Sequence, residues 1–195
     1  MPPIISAPSG RYGHDPAHAN LQFSVLHMGL TNYVAGFTDY KVDLQLDSTN
    51  PTASSVTVSI NPSSIRTDYS GDYKATHPSS AFSTWEEDLA MSDKFFNATA
   101  HPEIRFQSTS VTAVDGGPMQ IVGDLTLLGE THPVTLIGKL VGSTEQHPFT
   151  NKGALGLSVT GTFKRSVFGM DHLLSPPLVG DDVTISFEGE MHPAP

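Results

Sequence analysis

Apolar and polar residues alternate along most of this chain, and the stretch from Gly123 to Gly138 shows the pattern most compactly. Leu125 and Leu127 share one face of a first run, Val134 and Leu136 one face of a second, and Thr126 and Thr135 fall on the opposite faces. Gly129 between them can take the positive φ that a tight turn needs, so a β-hairpin is predicted. The same period of two recurs at residues 20–28, 34–46, 54–60, 103–114, 119–128, 132–142, 152–164 and 182–191. Asn61-Pro62 and Asp115-Gly116-Gly117-Pro118 supply stop and turn signals between these runs.

One segment breaks the rhythm. Residues 67–100 carry polar loop positions followed by Thr84-Trp85-Glu86-Glu87-Asp88-Leu89-Ala90-Met91, where a short helix is predicted with Thr84 as its cap, Glu87 completing a capping box and acidic residues in the first turn. This helical insertion, between the third and fourth strands, is expected to act as a lid over one end of the sheet. Eight antiparallel strands either pack as two sheets or close on themselves, and periodicity alone leaves both open.

Length and composition narrow the class. A chain of 195 residues suits one domain with a sizeable core, and 37 % hydrophobic with 15 % charged residues argues against disorder. The net charge of −10 disfavours a nucleic-acid partner or unassisted docking on anionic membranes. No run approaches the roughly eighteen apolar residues of a membrane-spanning helix. Residues 1–13, Pro- and Ser-rich, are expected to form a flexible N-terminal arm, with one domain over residues 14–195. They show no secretory pattern, so a cytoplasmic location is expected, or a periplasmic or secreted one if an upstream signal has been removed. There is no Cys, which excludes disulfides and thiolate chemistry.

Several patches in fixed order resemble the YceI-like family of lipid-binding proteins: Asp15-Pro16-Ala17-His18, Phe23 with His27, Gly36-Phe37, Trp85-Glu86 with Leu89, and Phe95-Phe96. Pro102-Glu103-Ile104-Arg105-Phe106-Gln107-Ser108-Thr109, the hairpin's Gly123 to Gly129 with Thr131 and Pro133-Val134, Phe168-Gly169-Met170 and Val179-Gly180-Asp181 continue the likeness. It implies an all-β fold, an eight-stranded antiparallel lipocalin-like barrel, whose apolar interior binds polyisoprenoids or related long-chain amphiphiles. Many members carry a secretion signal, which leaves location and natural lipid open.

On that reading the wall of the bore is Phe23, Val25, Phe37, Leu44, Phe106, Leu125, Leu136 and Leu157. Trp85, Phe95, Phe96, Phe168 and Met170 are placed near the mouth, and His27, on the face of Leu21, Phe23 and Val25, is expected to enter the bore. Alternating apolar residues are also what a plain core demands, and a lone inward His is commonly a hydrogen-bonded core residue. Arg165 and Arg105 are candidates for a phosphate head group, against the plainer reading of solvated surface charge; Asp15 and Asp181 read as turn or cap residues. Five of the nine His residues precede Pro and no tight cluster of metal ligands shows in the spacing, so no metal and no cofactor are expected. Catalytic signatures are missing, so no catalytic residue is assigned. The expected activity is non-catalytic: binding, carrying or sequestering a quinone, prenyl phosphate or similar lipid, with homodimerisation left open. Two rivals are an enzyme using His27 as acid or base, and a stress-response module acting through self-association.

Overall fold

The computed structural model describes residues 4–114, 117–175 and 178–194; the expected turn residues Asp115 and Gly116, and the first three residues of the expected arm, lie outside them. Among the described residues ten strands form one antiparallel sheet: β1 (Gly10–His27), β2 (Thr31–Phe37), β3 (Tyr40–Leu46), β4 (Ser55–Ile60), β5 (Ile65–Arg66), β6 (Ile104–Ala113), β7 (Met119–Leu127), β8 (Glu130–Thr144), β9 (Ala154–Lys164) and β10 (Val179–Pro193). The ladder runs β1-β3-β4-β6-β7-β8-β9-β10 and returns to β1, so eight strands close into a barrel. β2 lies beyond β3 along the same edge of β1, pairing Leu21–His27 while β3 pairs Gly10–Gly13, and β5 extends that side by pairing β2.

The run expected as one strand over 34–46 is therefore two segments of a single stave, broken at Thr38-Asp39. The corner is tied down because Thr38 N–H donates to Ser64 O (3.1 Å) and Asp39 N–H to Ser64 Oγ (3.0 Å). The predicted hairpin forms, with Leu128 (φ 52°) and Gly129 (φ 80°) as its two turn residues, the pair of positive angles that matches the right-handed twist of the flanking strands. Thr126 and Thr131 hydroxyls meet across it at 2.8 Å on the wet face.

The N-terminus differs from expectation. β1 begins at Gly10 rather than near residue 20, and residues 4–9 pack across one end of the barrel: Ala7 is buried, Ser6 N–H donates to Ser143 Oγ (2.8 Å) and the Tyr12 hydroxyl donates to Pro8 O (2.7 Å). The period of two fails there for a local reason. Between the pairs His14↔Met191 and Ala19↔Gly189, residues 15–18 stand opposite Glu190 alone, a bulge that hides the strand from pattern reading. Ala7, Tyr12, Leu46, Leu155 and Met191, all buried, plug this end, called the base below.

The insertion holds helices α1 (Tyr73–Thr76) and α2 (Trp85–Met91) at the opposite end. α2 forms where capping predicts it: Thr84 Oγ1 accepts from Glu87 N–H (3.1 Å), while the Glu87 carboxylate reaches Ser83 N–H (2.8 Å), one residue before the reciprocal bond of an ideal capping box. Among the described residues no helix is long and apolar enough to cross a membrane.

Candidate functional site

Because side chains alternate, each stave turns every second residue inward, and the base plug stops short of filling the barrel. What remains is a cavity of about 590 Å³, within the roughly 300–1,000 Å³ of small-molecule sites. Its walls are Leu, Val, Ile and Phe from every stave, including Leu44, Val58, Phe106, Leu125, Leu136, Leu157 and Ile185. Its polar side chains come mostly from the far end: His27, Thr31, Tyr33, Tyr69, Tyr73, His77 and Arg165. Such a bore can desolvate a long apolar chain and leave a polar terminus at the mouth, since unpaired polar groups are costly to bury.

Aromatic rings frame the mouth. Phe23, Phe37 and Phe96 contact one another with centroids 5.6–6.0 Å apart, and Trp85 meets Phe95 edge-on at 5.8 Å. The Trp85 indole N–H donates to the Tyr33 hydroxyl (2.7 Å), which fixes α2 to β2, and the Tyr73 ring lies against Trp85 at 5.8 Å while its hydroxyl donates to Asp88. Phe96 N–H and Ala98 N–H return to the carbonyls of Leu89 and Ala90, pinning the aromatic pair after α2 in place. Burial, together with the charges of Glu86 and Asp68, raises the Tyr33 hydroxyl above its ordinary range, against the opposing bonds from Trp85 and Thr67, so it stays protonated across physiological pH.

Phe23, Val25, His27, Phe37, Leu44, Trp85, Phe95, Phe96, Phe106, Leu125, Leu136, Leu157, Arg165 and Met170 all lie on the cavity lining. Phe168 does not. Its ring is buried behind the wall, edge-on to Phe163 (5.4 Å) and His132 (5.1 Å), because the 3₁₀ turn Arg165–Phe168 folds it under β8 and β9. His27 sits at the exposed rim rather than deep in the bore.

Arg165 is not a solvated surface charge. It is buried, and its guanidinium donates to three carbonyls, Gly180 O (2.8 Å), Met170 O (2.9 Å) and Val179 O (2.9 Å), clamping the mouth segment to the start of β10. Burial lowers its pKa against the opposing pull of Asp181 and Asp171. Arg105 stays outward on β6. Asp181 caps the 3₁₀ turn as expected, accepting from Ser166 N–H and Oγ at 2.9 Å each.

Across residues 12–191 the chain matches the family model of the YceI-like domain. It belongs to the YceI-like family. The family's span begins at Tyr12 and ends at Met191, two of the side chains that plug the base of this YceI-like barrel. Protein YceI of Shigella flexneri is 36 % identical over 172 residues, 88 % of this chain and 81 % of that protein. A Campylobacter jejuni YceI protein superposes with a TM-score of 0.71 at 22 % identity, covering 87 % of this chain and 90 % of that one. A polyisoprenoid binding domain from Saccharophagus degradans does so with a TM-score of 0.56 at 13 % identity, covering 94 % and 98 %.

Sequence reading missed Tyr33, Tyr69, Tyr73, His77, Leu173 and Val179 in the lining. The four-residue spacing of Tyr69, Tyr73 and His77 was the available signal, set in a polar stretch without strand period. It also missed a convergence outside the cavity: contrary to the expectation of no clustered metal ligands, His147, Glu190 and His192 bring ligand atoms within 4.8 Å of one another, as do Asp15, His18 and Glu190.

Proposed function

We propose that this YceI-like protein binds a long-chain isoprenoid-type amphiphile, a quinone, prenyl phosphate or similar lipid, and carries or sequesters it without chemical change. The observation that carries the reading is the bore itself, plugged at the base and apolar along its walls, with polar groups gathered at the mouth. Family membership and the Saccharophagus degradans fold neighbour, a polyisoprenoid binding domain, support the same class of ligand. Each methylene withdrawn from water contributes about 0.8 kcal/mol gross, falling toward about 0.3 kcal/mol per heavy atom once ordering costs are counted. Five carbons per isoprene unit then give about 1.5 kcal/mol, or roughly tenfold in affinity per unit until the bore is full. With Arg165 committed to carbonyls, the head group is left to Tyr33, Tyr69, Tyr73, His77 and His27.

Trp85 is the single tryptophan and stands at the mouth, so its fluorescence reports occupancy. Titration with isoprenoid quinones of increasing tail length is expected to quench it saturably at one equivalent, with affinity rising with each unit and then levelling. Affinity independent of tail length, or no saturable quenching, contradicts the reading.

A further inference from the structure

The bulge in β1 has a partner on the barrel's outer face. On β10, Phe187 and Met191 turn inward, so Glu190 and His192 turn outward together, two residues apart on one face. Glu190 is the residue that the bulged segment 15–18 stands against, and the bulge turns Asp15 and His18 toward it. From the other side the β8–β9 connection brings in His147, held by its own N–H to Lys152 O (2.7 Å) and its O to Asn151 N–H (2.9 Å). Three segments far apart in sequence thus converge where closure of the barrel joins β1 to β10.

The side-chain atoms meet at distances an ion could bridge. Glu190 Oε2 lies 3.3 Å from His192 Nε2 and 3.8 Å from His147 Nε2, and Asp15 Oδ2 lies 3.9 Å from His192 Nε2. Ligand atoms bonded at about 2.0–2.1 Å to a tetrahedral ion stand roughly 3.3–3.5 Å apart, so His147, Glu190 and His192 need only small side-chain shifts to close on an ion, with Asp15 approaching from the His192 side. Asp15 is oriented for it, with Oδ1 accepting from Ala17 N–H (3.0 Å) and Oδ2 paired with His18 Nδ1 (2.7 Å), the kind of outer support that holds ligating carboxylates. The His147 and His192 side chains each keep 21 % of their surface exposed, which leaves an entry path. The overall charge of −10 favours cations near the surface.

We propose that this cluster is a binding site for a borderline divalent metal ion of the zinc class, ligated by His147, His192 and Glu190 with Asp15 completing the set and His18 positioning Asp15. Two imidazoles with carboxylates suit such ions and not the all-oxygen preference of Ca²⁺ or Mg²⁺. The ion ties the bulge, the end of β10 and the β8–β9 connection to one point, and so braces the base that keeps the bore closed. None of the five residues lines the cavity, so the site is separate from the mouth.

The test uses the full chain, stripped with a chelator and dialysed, then titrated calorimetrically with Zn²⁺ alone. One ion is expected to bind with a Kd below about 10 μM and to raise Tm by several degrees at saturating metal. His147→Ala, in an exposed connection where the fold tolerates it, and His192→Ala are each expected to weaken binding at least tenfold, with His101→Ala and lipid uptake by His147→Ala at wild-type values. Ca²⁺ is expected not to compete. A Kd above that limit, more than one ion bound, displacement by Ca²⁺, or wild-type Zn²⁺ affinity in His147→Ala overturns the assignment.

Discussion

Arg165 shows how one buried cation organises the mouth. Its three N–H···O=C bonds go to the carbonyls of Met170, Val179 and Gly180, in the segment after the 3₁₀ turn and at the start of β10. Arg165→Leu keeps the apolar stem but leaves those carbonyls without their donor, so it is expected to destabilise the fold by about 2–4 kcal/mol in urea unfolding. Asp181, at the same corner, is pushed up by burial, but the Ser166 N–H and hydroxyl and Lys164 outweigh this and hold its carboxyl below the ordinary range. A carboxylate with a depressed folded-state pKa stabilises above its unfolded value of about 3.9 and loses that contribution as pH falls through the folded value. The stability difference between wild type and Asp181→Asn is therefore expected to be flat above about pH 5 and to shrink below about pH 4, measured by urea midpoints at each pH. A difference that grows on acidification contradicts the cap.

At the scale of elements, the strands were legible and the irregular pieces were not. Each stave is half-buried, so Leu125, Leu127, Val134 and Leu136 announce the inner face by period alone, and Thr84 with Glu87 marks the start of α2. The opening of β1 was illegible because a four-residue bulge at 15–18 destroys the period, and the arm reading failed because Tyr12 and Ala7 act through burial at a barrel end that local pattern does not reveal. Phe168 was misplaced for a related reason: the resemblance grouped it with Met170 at the mouth, whereas the 3₁₀ turn ending at the left-handed Gly169 (φ 78°) sets the ring behind the wall. The wall itself is tightly fitted at Gly123, where an added Cβ would sit 2.4 Å from Phe106 Cζ and 2.5 Å from Gln107 O. Gly123→Ala is expected to cost about 1–3 kcal/mol in thermal or urea unfolding and to displace Phe106 into the bore, weakening uptake of long tails.

For the whole molecule, closure does what no single strand predicts. It converts eight one-sided strands into a cavity, and it juxtaposes residues 15–18, 147 and 190–192, whose separation along the chain kept their cluster invisible to spacing arguments. Whether the alternating apolar residues made solid core or a wall was undecidable from period, because both need the same inward Leu, Val and Phe; the difference lies in barrel width and in where the plug ends. Bulk added to the wall should therefore abolish uptake of long tails without unfolding the barrel, and Leu44→Trp is the substitution to use, since Leu44 lines the cavity on β3 opposite Tyr12, just above the base plug. The most direct measurement is native mass spectrometry of the protein incubated with a long-tailed isoprenoid quinone. A one-to-one adduct in wild type that is lost in Leu44→Trp is predicted; a spectrum in which the wild-type protein carries no added mass, or in which Leu44→Trp binds as well as wild type, contradicts the carrier account.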